Sequence, residues 1–193
     1  SRWAARIARE EAGVEVLTGT LGDNRESLKD DYDLAVAWDV LEHVPDPYGL
    51  LTEIHRHLRP GGILCLSTLD RHNWLPRLTG RHWPWIMDMH LQYFSRDFLE
   101  GMLARAGYEV VHVADYTHYA TLPYLWRKMA AQLPGLLAPA LALFAKALPA
   151  AIILPVSFGD VKLFIARKHH DADAAPERTP DGLGFSHQSK KND

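Results

Sequence analysis

Two uninterrupted apolar runs, separated by one well-marked helix, constrain the fold of this chain more than any other feature. Residues 33–38 and 63–68 are almost continuously apolar, a pattern typical of strands that are buried on both faces under helices. Between them, Asp46 suits a helix N-cap and Pro47 suits the first helical position, where the missing N–H of proline costs nothing. The segment 60–62, Pro-Gly-Gly, ends that helix. Strand, helix and strand in this order predict a βαβ unit with a right-handed crossover.

The spacing of apolar positions predicts the remaining elements. Helices are expected from Trp3 to a stop at Gly13 and from a Ser95 cap to a stop at Gly107. Strands are expected at residues 14–17, 108–114 and 161–167, whereas residues 71–94 form an irregular, aromatic-rich segment. The polar composition of residues 169–193 predicts a disordered tail.

Composition excludes several classes of protein. The 193 residues carry a net charge of −3 and are 47% hydrophobic, values of an ordinary soluble globular chain of a little over one domain. This net charge gives no indication of a basic surface that binds nucleic acid. A single cysteine, Cys65, excludes an internal disulfide and a cysteine-rich zinc site, and it is expected to pack in the core.

The residues around the βαβ unit carry a resemblance. Residues 32–47 read Tyr-Asp-Leu-Ala-Val-Ala-Trp-Asp-Val-Leu-Glu-His-Val-Pro-Asp-Pro, and residues 58–64 read Leu-Arg-Pro-Gly-Gly-Ile-Leu. This pairing closely resembles the class I S-adenosylmethionine-dependent methyltransferases, in particular the group that includes the ubiquinone-biosynthesis O-methyltransferases. Residues 90–95 and 106–110 fit the same group. The resemblance implies an α/β fold with a Rossmann-like, doubly wound, mostly parallel sheet over residues 1–168, and S-adenosyl-L-methionine as the cofactor.

The chain departs from that family at its start. The family opens with a strand, a Gly-x-Gly-x-Gly turn and an acidic residue that ends the second strand, and none of these precedes the helix-like segment that begins at Ser1. The resemblance therefore implies a sheet without its first two strands, in which residues 14–17 have no neighbour for their ladder. The expectation is that the 193-residue chain alone is poorly stable and inactive.

Five residues are candidates for binding the cofactor, because doubly wound sheets bind ligands beyond the carboxyl ends of their strands. By resemblance, Thr20 and Leu21 would flank the adenine, and Trp38, Asp39 and Val40 would line the adenosine and methionine portions. Simple core packing is the alternative for Trp38 and Val40.

Two histidines are candidates for the catalytic base. Methyl transfer to a hydroxyl is helped by a general base, and histidine has a suitable pKa. His43 follows the strand at 33–38 and His90 lies in the aromatic segment, while Glu42 would orient His43 or bind the acceptor. A local structural role is the alternative for each histidine. Asp88 and His90 with His82 could suggest a Mg²⁺ site, but two histidines suit that ion badly because it prefers oxygen ligands, so no metal is expected.

The aromatic segment and a later insertion are expected to shape the acceptor site. Trp74, Trp83, Trp85 and Tyr93 suit a platform for a sugar or ring acceptor, with plain packing as the alternative. The insertion at 116–159 includes the apolar stretch 133–158, which four prolines interrupt. Two short helices that cap the active site are expected there, and the more specific alternative is a peripheral membrane contact.

The predicted function is methyl transfer from S-adenosyl-L-methionine to a small-molecule or glycan acceptor, at a hydroxyl oxygen, in the cytoplasm. Two alternatives stay open: a non-catalytic binding module that keeps the fold, and a nicotinamide-dependent oxidoreductase. The acceptor and the oligomeric state do not follow from the sequence.

Overall fold

The computed structural model describes residues 2–130, 143–144, 149 and 151–169. The described strands are β1 (Tyr32–Trp38), β2 (Leu58–Leu69), β3 (Tyr108–Asp115), β4 (His118–Thr121), β5 (Ile153–Val156) and β6 (Val161–Lys168). The described α-helices of more than one turn are α1 (Arg2–Ala12), α2 (Pro47–His57), α3 (Trp74–Thr79), α4 (Arg96–Arg105) and α5 (Leu122–Ala130). Short 3-10 turns lie at Gly22–Ser27, Leu41–His43 and Gly80–His82.

One four-stranded sheet with the order β1-β2-β6-β3 organises the chain. β1 and β2 are parallel, with Val36 opposite Cys65, whereas β6 runs antiparallel to both β2 and β3. The α/β class and the βαβ unit are confirmed. The sheet is mixed rather than mostly parallel over the described strands, because β6 lies between β2 and β3 and runs against both. One edge of the sheet therefore holds the carboxyl ends of β1, β2 and β3 together with the start of β6.

The predicted helix ends are confirmed in atomic detail. The Asp46 side chain accepts a hydrogen bond from the Gly49 N–H at 2.8 Å, and Pro47 is the first residue of α2. The Ser95 hydroxyl accepts from the Phe98 N–H at the start of α4. Gly107 follows α4 with a φ of 88°, a left-handed conformation that glycine adopts without a steric cost.

The core lies between the sheet and helices α2 and α4. Its fully buried side chains come from the strands, from the apolar stripes of both helices and from the turn after β1: Leu41, Leu51, Leu58, Leu64, Leu66, Leu99, Leu103, Tyr108 and Phe164. Tyr108 donates its hydroxyl to the Leu51 carbonyl at 3.1 Å, and burial raises the pKa of its phenol. Helix α2 thus buries Leu51 and Ile54, and α4 buries Leu99, Met102 and Leu103, whereas Phe98 of α4 is 62% exposed.

Two sequence predictions are wrong. Residues 14–17 form no strand, and Val14 and Leu17 are 49% and 40% exposed. No described strand lies beside them, so their backbone has no ladder to join. In the insertion, β4 and β5 pair as a separate antiparallel ribbon, so residues 153–156 are a strand where a cap helix was predicted. Four consecutive residues containing β-branched Ile153 and Val156, with Pro155 among them, favour an extended backbone.

The rest of the predicted cap, at 131–142, 145–148 and 150, and the predicted tail beyond His169 lie outside the described residues. None of the helices within the described ranges has the length and apolar character needed to cross a bilayer.

Candidate active site

The chain turns sharply where β1 reaches the ligand-binding edge of the sheet. Asp39 has a φ of 49°, a left-handed conformation that is uncommon for a residue with a Cβ atom and is found preferentially at functional sites. Ser67 of β2 stabilises this turn, because its hydroxyl donates to Asp39 Oδ1 at 2.7 Å and accepts from the Asp39 N–H at 3.0 Å. The neighbours Trp38 and Val40 stay 45% and 37% exposed. These two side chains are therefore partly accessible to solvent, and their role in binding the cofactor stays a prediction.

A buried carboxylate lies just beyond this turn. Glu42 is 2% exposed, and its Oε2 accepts a hydrogen bond from the Thr68 hydroxyl at 2.8 Å. The backbone carbonyl of Glu42 accepts from the N–H of Leu91 at 2.8 Å and of Gln92 at 3.3 Å. These bonds fasten the 3-10 turn Leu41–His43 to the segment that follows His90.

The two candidate bases meet as a result. The rings of His43 and His90, named here the histidine pair, have centroids 4.7 Å apart in an edge-to-face arrangement. His43 Nδ1 lies 2.9 Å from the Met89 carbonyl, and His90 Nδ1 lies 2.7 Å from the Trp85 carbonyl. A carbonyl oxygen only accepts, so each Nδ1 carries the proton and each neutral ring keeps a basic Nε2. Both rings are thus fixed in the tautomer that a proton acceptor or a metal ligand needs.

Aromatic side chains line the same edge. Trp83, Trp85 and Tyr93, named here the aromatic wall, lie next to the histidine pair, since the rings of His90 and Tyr93 are 5.9 Å apart. Tyr116 and His118 were not predicted as site residues, and they extend the wall towards β1. The Tyr116 ring lies 6.0 Å from that of Trp38, and the His118 ring lies 5.9 Å from that of Trp85. Nothing in the sequence pattern marks these two residues, because only the fold brings the end of β3 and the start of β4 to this edge.

The other predicted residues lie elsewhere or serve their own loop. Thr20 forms reciprocal hydrogen bonds with Asp23, at 2.8 Å from its hydroxyl, and Leu21 packs against the core. Trp74 is 57% exposed on α3 and is not in the aromatic wall. Burial raises the pKa of the Cys65 thiol, which argues against a nucleophilic cysteine.

Glu42, His43 and His90 form the cluster best suited to hold a metal among the described residues, with one ligand atom from each within 4.8 Å of the others. Two imidazole nitrogens and one carboxylate suit Zn²⁺ or Fe²⁺ rather than Mg²⁺. The sequence analysis expected no metal and considered His90 only with His82 and Asp88. The alternative set was not visible because Glu42 and His90 are brought together by tertiary hydrogen bonds.

The fold and this edge together define an α/β protein that binds its ligand beyond the carboxyl ends of parallel strands. A family model described as a methyltransferase domain matches residues 3–113, and the chain belongs to this family. The predicted family is confirmed by this match, with which the predicted cofactor, S-adenosyl-L-methionine, is consistent.

Similar proteins agree with this assignment. The chain is 30% identical to a ubiquinone biosynthesis O-methyltransferase of Pseudomonas savastanoi over an alignment of 131 positions that covers 59% of this chain and 53% of that protein. Over 70 residues it is 37% identical to the Aeromonas salmonicida enzyme of the same name, covering 35% of this chain and 29% of that one. The chain thus spans about half or less of the length of these curated relatives.

Solved structures share the fold. A SAM-dependent methyltransferase of Thermotoga maritima superposes with a TM-score of 0.52 at 24% identity, covering 85% of this chain and 68% of that one. A SAM-dependent methyltransferase of Archaeoglobus fulgidus gives 0.51 at 14% identity, covering 84% and 71%. At these identities the likeness concerns the fold, and the site residues are argued from their own geometry.

Proposed function

We propose that the protein transfers a methyl group from S-adenosyl-L-methionine to a hydroxyl oxygen of a ring-bearing small molecule or glycan. The observation that carries this proposal is the histidine pair, in which two basic Nε2 atoms lie beside a buried carboxylate at the ligand-binding edge. The curated relatives are named O-methyltransferases, which supports oxygen as the acceptor atom.

The chemistry assigns a role to each group. The sulfonium supplies the methyl group, and transfer is an in-line displacement that depends on alignment. Trp38, Asp39 and Val40 at the end of β1 would hold the cofactor, together with Thr20 and Leu21. His43 or His90 would take the hydroxyl proton through Nε2 as the oxygen attacks, with Glu42 nearby to stabilise the resulting imidazolium. Trp85 and Tyr93, the partly exposed members of the aromatic wall, would hold the acceptor ring, whereas Trp83 is buried and packs against both of them.

Cofactor binding tests the first half of the proposal. Isothermal titration of S-adenosylhomocysteine into the complete protein is expected to show saturable binding, and the same titration with NADH is expected to show none. Trp38→Ala is expected to weaken S-adenosylhomocysteine binding about tenfold, since a stacked aromatic contact contributes about 1.4 kcal/mol. Tyr32→Ala, an aromatic residue 39% exposed at the other end of β1, is the matched control.

The outcomes separate the alternatives. Binding of NADH would favour the oxidoreductase. Binding of neither S-adenosylhomocysteine nor NADH by a folded protein would favour a module without a cofactor. An equal effect of both substitutions would place the cofactor away from the end of β1.

The proposal also includes weak cofactor binding by the 193 residues alone. Among the described strands, β1 has a ladder partner only in β2, and Leu34 and Val36 on β1 are 53% and 51% exposed. A strand with one bare apolar edge is a poor support for the turn at Asp39. The affinity of the 193-residue chain for S-adenosylhomocysteine is therefore expected to be weak, and tight binding would contradict this part.

A peripheral membrane contact is a further part of the proposal. Residues 116–159 contain no Asp or Glu but three cations, Arg127, Lys128 and Lys146, in a chain that is acidic overall. Apolar side chains in the described part of this segment are exposed: Tyr119, Tyr124, Leu143, Phe144, Ile152, Ile153, Leu154 and Phe158. An exposed apolar surface with cations and without acids suits the interface of an anionic bilayer.

Vesicle sedimentation tests this contact. The complete protein is expected to bind vesicles containing phosphatidylglycerol more tightly than vesicles of phosphatidylcholine. Ile153→Ser and Phe158→Ser are each expected to lower the partition coefficient about fivefold, because each removes roughly 1 kcal/mol of apolar burial. Leu78→Ser, at a position 77% exposed on α3, is the control. Vesicle binding that none of these variants alters would show that another surface meets the lipid.

A further inference from the structure

A buried aspartate at the start of β6 holds two tryptophans by a single oxygen. Asp160 is 4% exposed and Trp83 is 3% exposed. Asp160 Oδ2 accepts from Trp83 Nε1 at 2.9 Å and from Trp85 Nε1 at 3.1 Å. Indole nitrogen only donates, so a buried tryptophan needs an acceptor. No ion pair found in the described part of the chain involves Asp160. The two indole N–H groups are therefore important hydrogen-bond partners of its side chain.

The sheet fixes the position of this carboxylate. The Asp160 carbonyl accepts from the Asp70 N–H at 2.8 Å, and the next residue, Val161, pairs with Leu69 of β2. Gly159 precedes it with a φ of 71°, which allows the chain to turn sharply into β6. Asp160 is therefore anchored to the central strands, whereas residues 83–93 belong to an irregular segment.

The same tryptophan leads on to the histidine pair. The backbone carbonyl of Trp85 accepts from His90 Nδ1 at 2.7 Å and from the Tyr93 hydroxyl at 3.2 Å. The His90 ring in turn lies 4.7 Å from the His43 ring. Hydrogen bonds thus connect the sheet to Asp160, Asp160 to Trp85, and Trp85 to His90. The last of these bonds sets the tautomer and the position of the His90 ring.

We propose that Asp160 is a positioning residue, which sets the aromatic wall and the orientation of His90 by holding the indoles of Trp83 and Trp85. It acts through these side chains and does not touch the reacting atoms. Both indole N–H groups bond to the same oxygen, so removing the Asp160 side chain would release both tryptophans at once. This inference rests on the proposed function for its catalytic consequence, but the coupling from Asp160 to His90 stands on geometry alone.

The coupling is tested without any methyl transfer. In the complete protein, Asp160→Ala is expected to shift the ring resonances of His90 and His43 in NMR spectra, with a red shift of tryptophan fluorescence as the indoles lose their partner. Trp85→Phe retains the carbonyl that His90 uses but loses the tie to Asp160, so it is expected to shift the His90 signals in the same direction. Asp115→Asn, a neighbouring carboxylate that pairs with Lys162, is the matched control and is expected to change neither signal.

Kinetics then test the catalytic consequence. Asp160→Ala is expected to raise KM for the acceptor at least tenfold, and Asp160→Asn about threefold, because the amide oxygen of asparagine still accepts from an indole. Binding of S-adenosylhomocysteine is expected to stay within twofold of the original protein in both variants. Asp160→Asn also guards against a simple loss of folding in the alanine variant, which circular dichroism checks.

The outcomes distinguish the two levels of the argument. Unchanged His90 signals in folded Asp160→Ala and Trp85→Phe proteins would overturn the positioning role, whatever the activity. Shifted His90 signals with no methyl transfer by the original protein would support the coupling and refute the proposed function. An equal fall in cofactor binding and acceptor binding would also overturn the inference, because it would indicate a general structural role.

Discussion

His43→Gln and His90→Gln in the complete protein are each expected to lower kcat for methyl transfer by about 10²-fold or more, the range of a lost general base. Each substitution replaces an imidazole ring and so removes its basic Nε2. In the original protein, Nδ1 of His43 bonds to the Met89 carbonyl and Nδ1 of His90 bonds to the Trp85 carbonyl. Binding of S-adenosylhomocysteine is expected to change little. Single-turnover assays with saturating cofactor measure the chemical step directly.

The control for this result is His112→Gln, an exposed histidine on β3 that is expected to leave kcat unchanged. If neither variant of the histidine pair changes kcat by more than threefold, the acceptor proton leaves by another route and the proposed role of the pair is wrong. The double variant is expected to lose little more than the stronger single variant, because the two rings would act as one unit.

Glu42→Gln separates a base from a metal ligand. If the histidine pair acts as a base alone, Glu42→Gln is expected to lower kcat modestly, and chelation is expected to have no effect. If Glu42, His43 and His90 hold a divalent ion, all three variants are expected to lose bound metal together, as measured by elemental analysis of the purified protein, and chelation is expected to abolish activity.

Leu66→Ala is expected to lower the free energy of unfolding by about 3 kcal/mol, because it removes a large side chain from a tightly packed core and leaves a cavity. Leu66 is fully buried on the central strand β2, opposite Phe164 of β6 and Ala37 of β1. Urea denaturation of the complete protein without cofactor gives this difference from the shift of the midpoint at constant slope.

Leu78→Ala provides the comparison, since Leu78 is 77% exposed on α3. Surface substitutions of this kind change stability by less than about 0.5 kcal/mol. A loss below about 1 kcal/mol for Leu66→Ala would mean that this side chain is not buried in the way described. A similar loss for both variants would show that burial in the core does not set the cost of truncating Leu66.

The sequence was most informative where a structure depends on neighbours along the chain. The Asp46 cap bonds to Gly49, and the Ser95 cap bonds to Phe98, so each uses residues within one helical turn. Likewise, the apolar runs of β1 and β2 mark both strands along the chain. The prediction that both strands are buried on both faces is wrong for β1, because Leu34 and Val36 are 53% and 51% exposed, whereas most of β2 is buried. The segment Leu41-Glu42-His43, with the later Pro-Gly-Gly, carried the family resemblance that the methyltransferase domain match confirms.

Predictions failed where a segment needs a distant partner. Residues 14–17 have the composition of a strand, but a strand exists only when another backbone completes its hydrogen bonds, and no described strand lies beside these residues. The segment at 153–156 was read as helical from its apolar composition, but it pairs with His118–Thr121 across a long interval of sequence. Composition alone does not encode such pairing.

The sequence by itself determined the α/β class, the helix ends, the βαβ unit and the family, because these depend on local hydrogen bonds and on the periodic burial of apolar side chains. The tertiary structure alone decided which side chains share the site. His43 reaches a carbonyl 46 residues away at Met89, and Asp160 holds the indole of Trp83 from 77 residues away. Hydrogen bonds over such separations form only after the sheet has placed β1, β2 and β6 side by side.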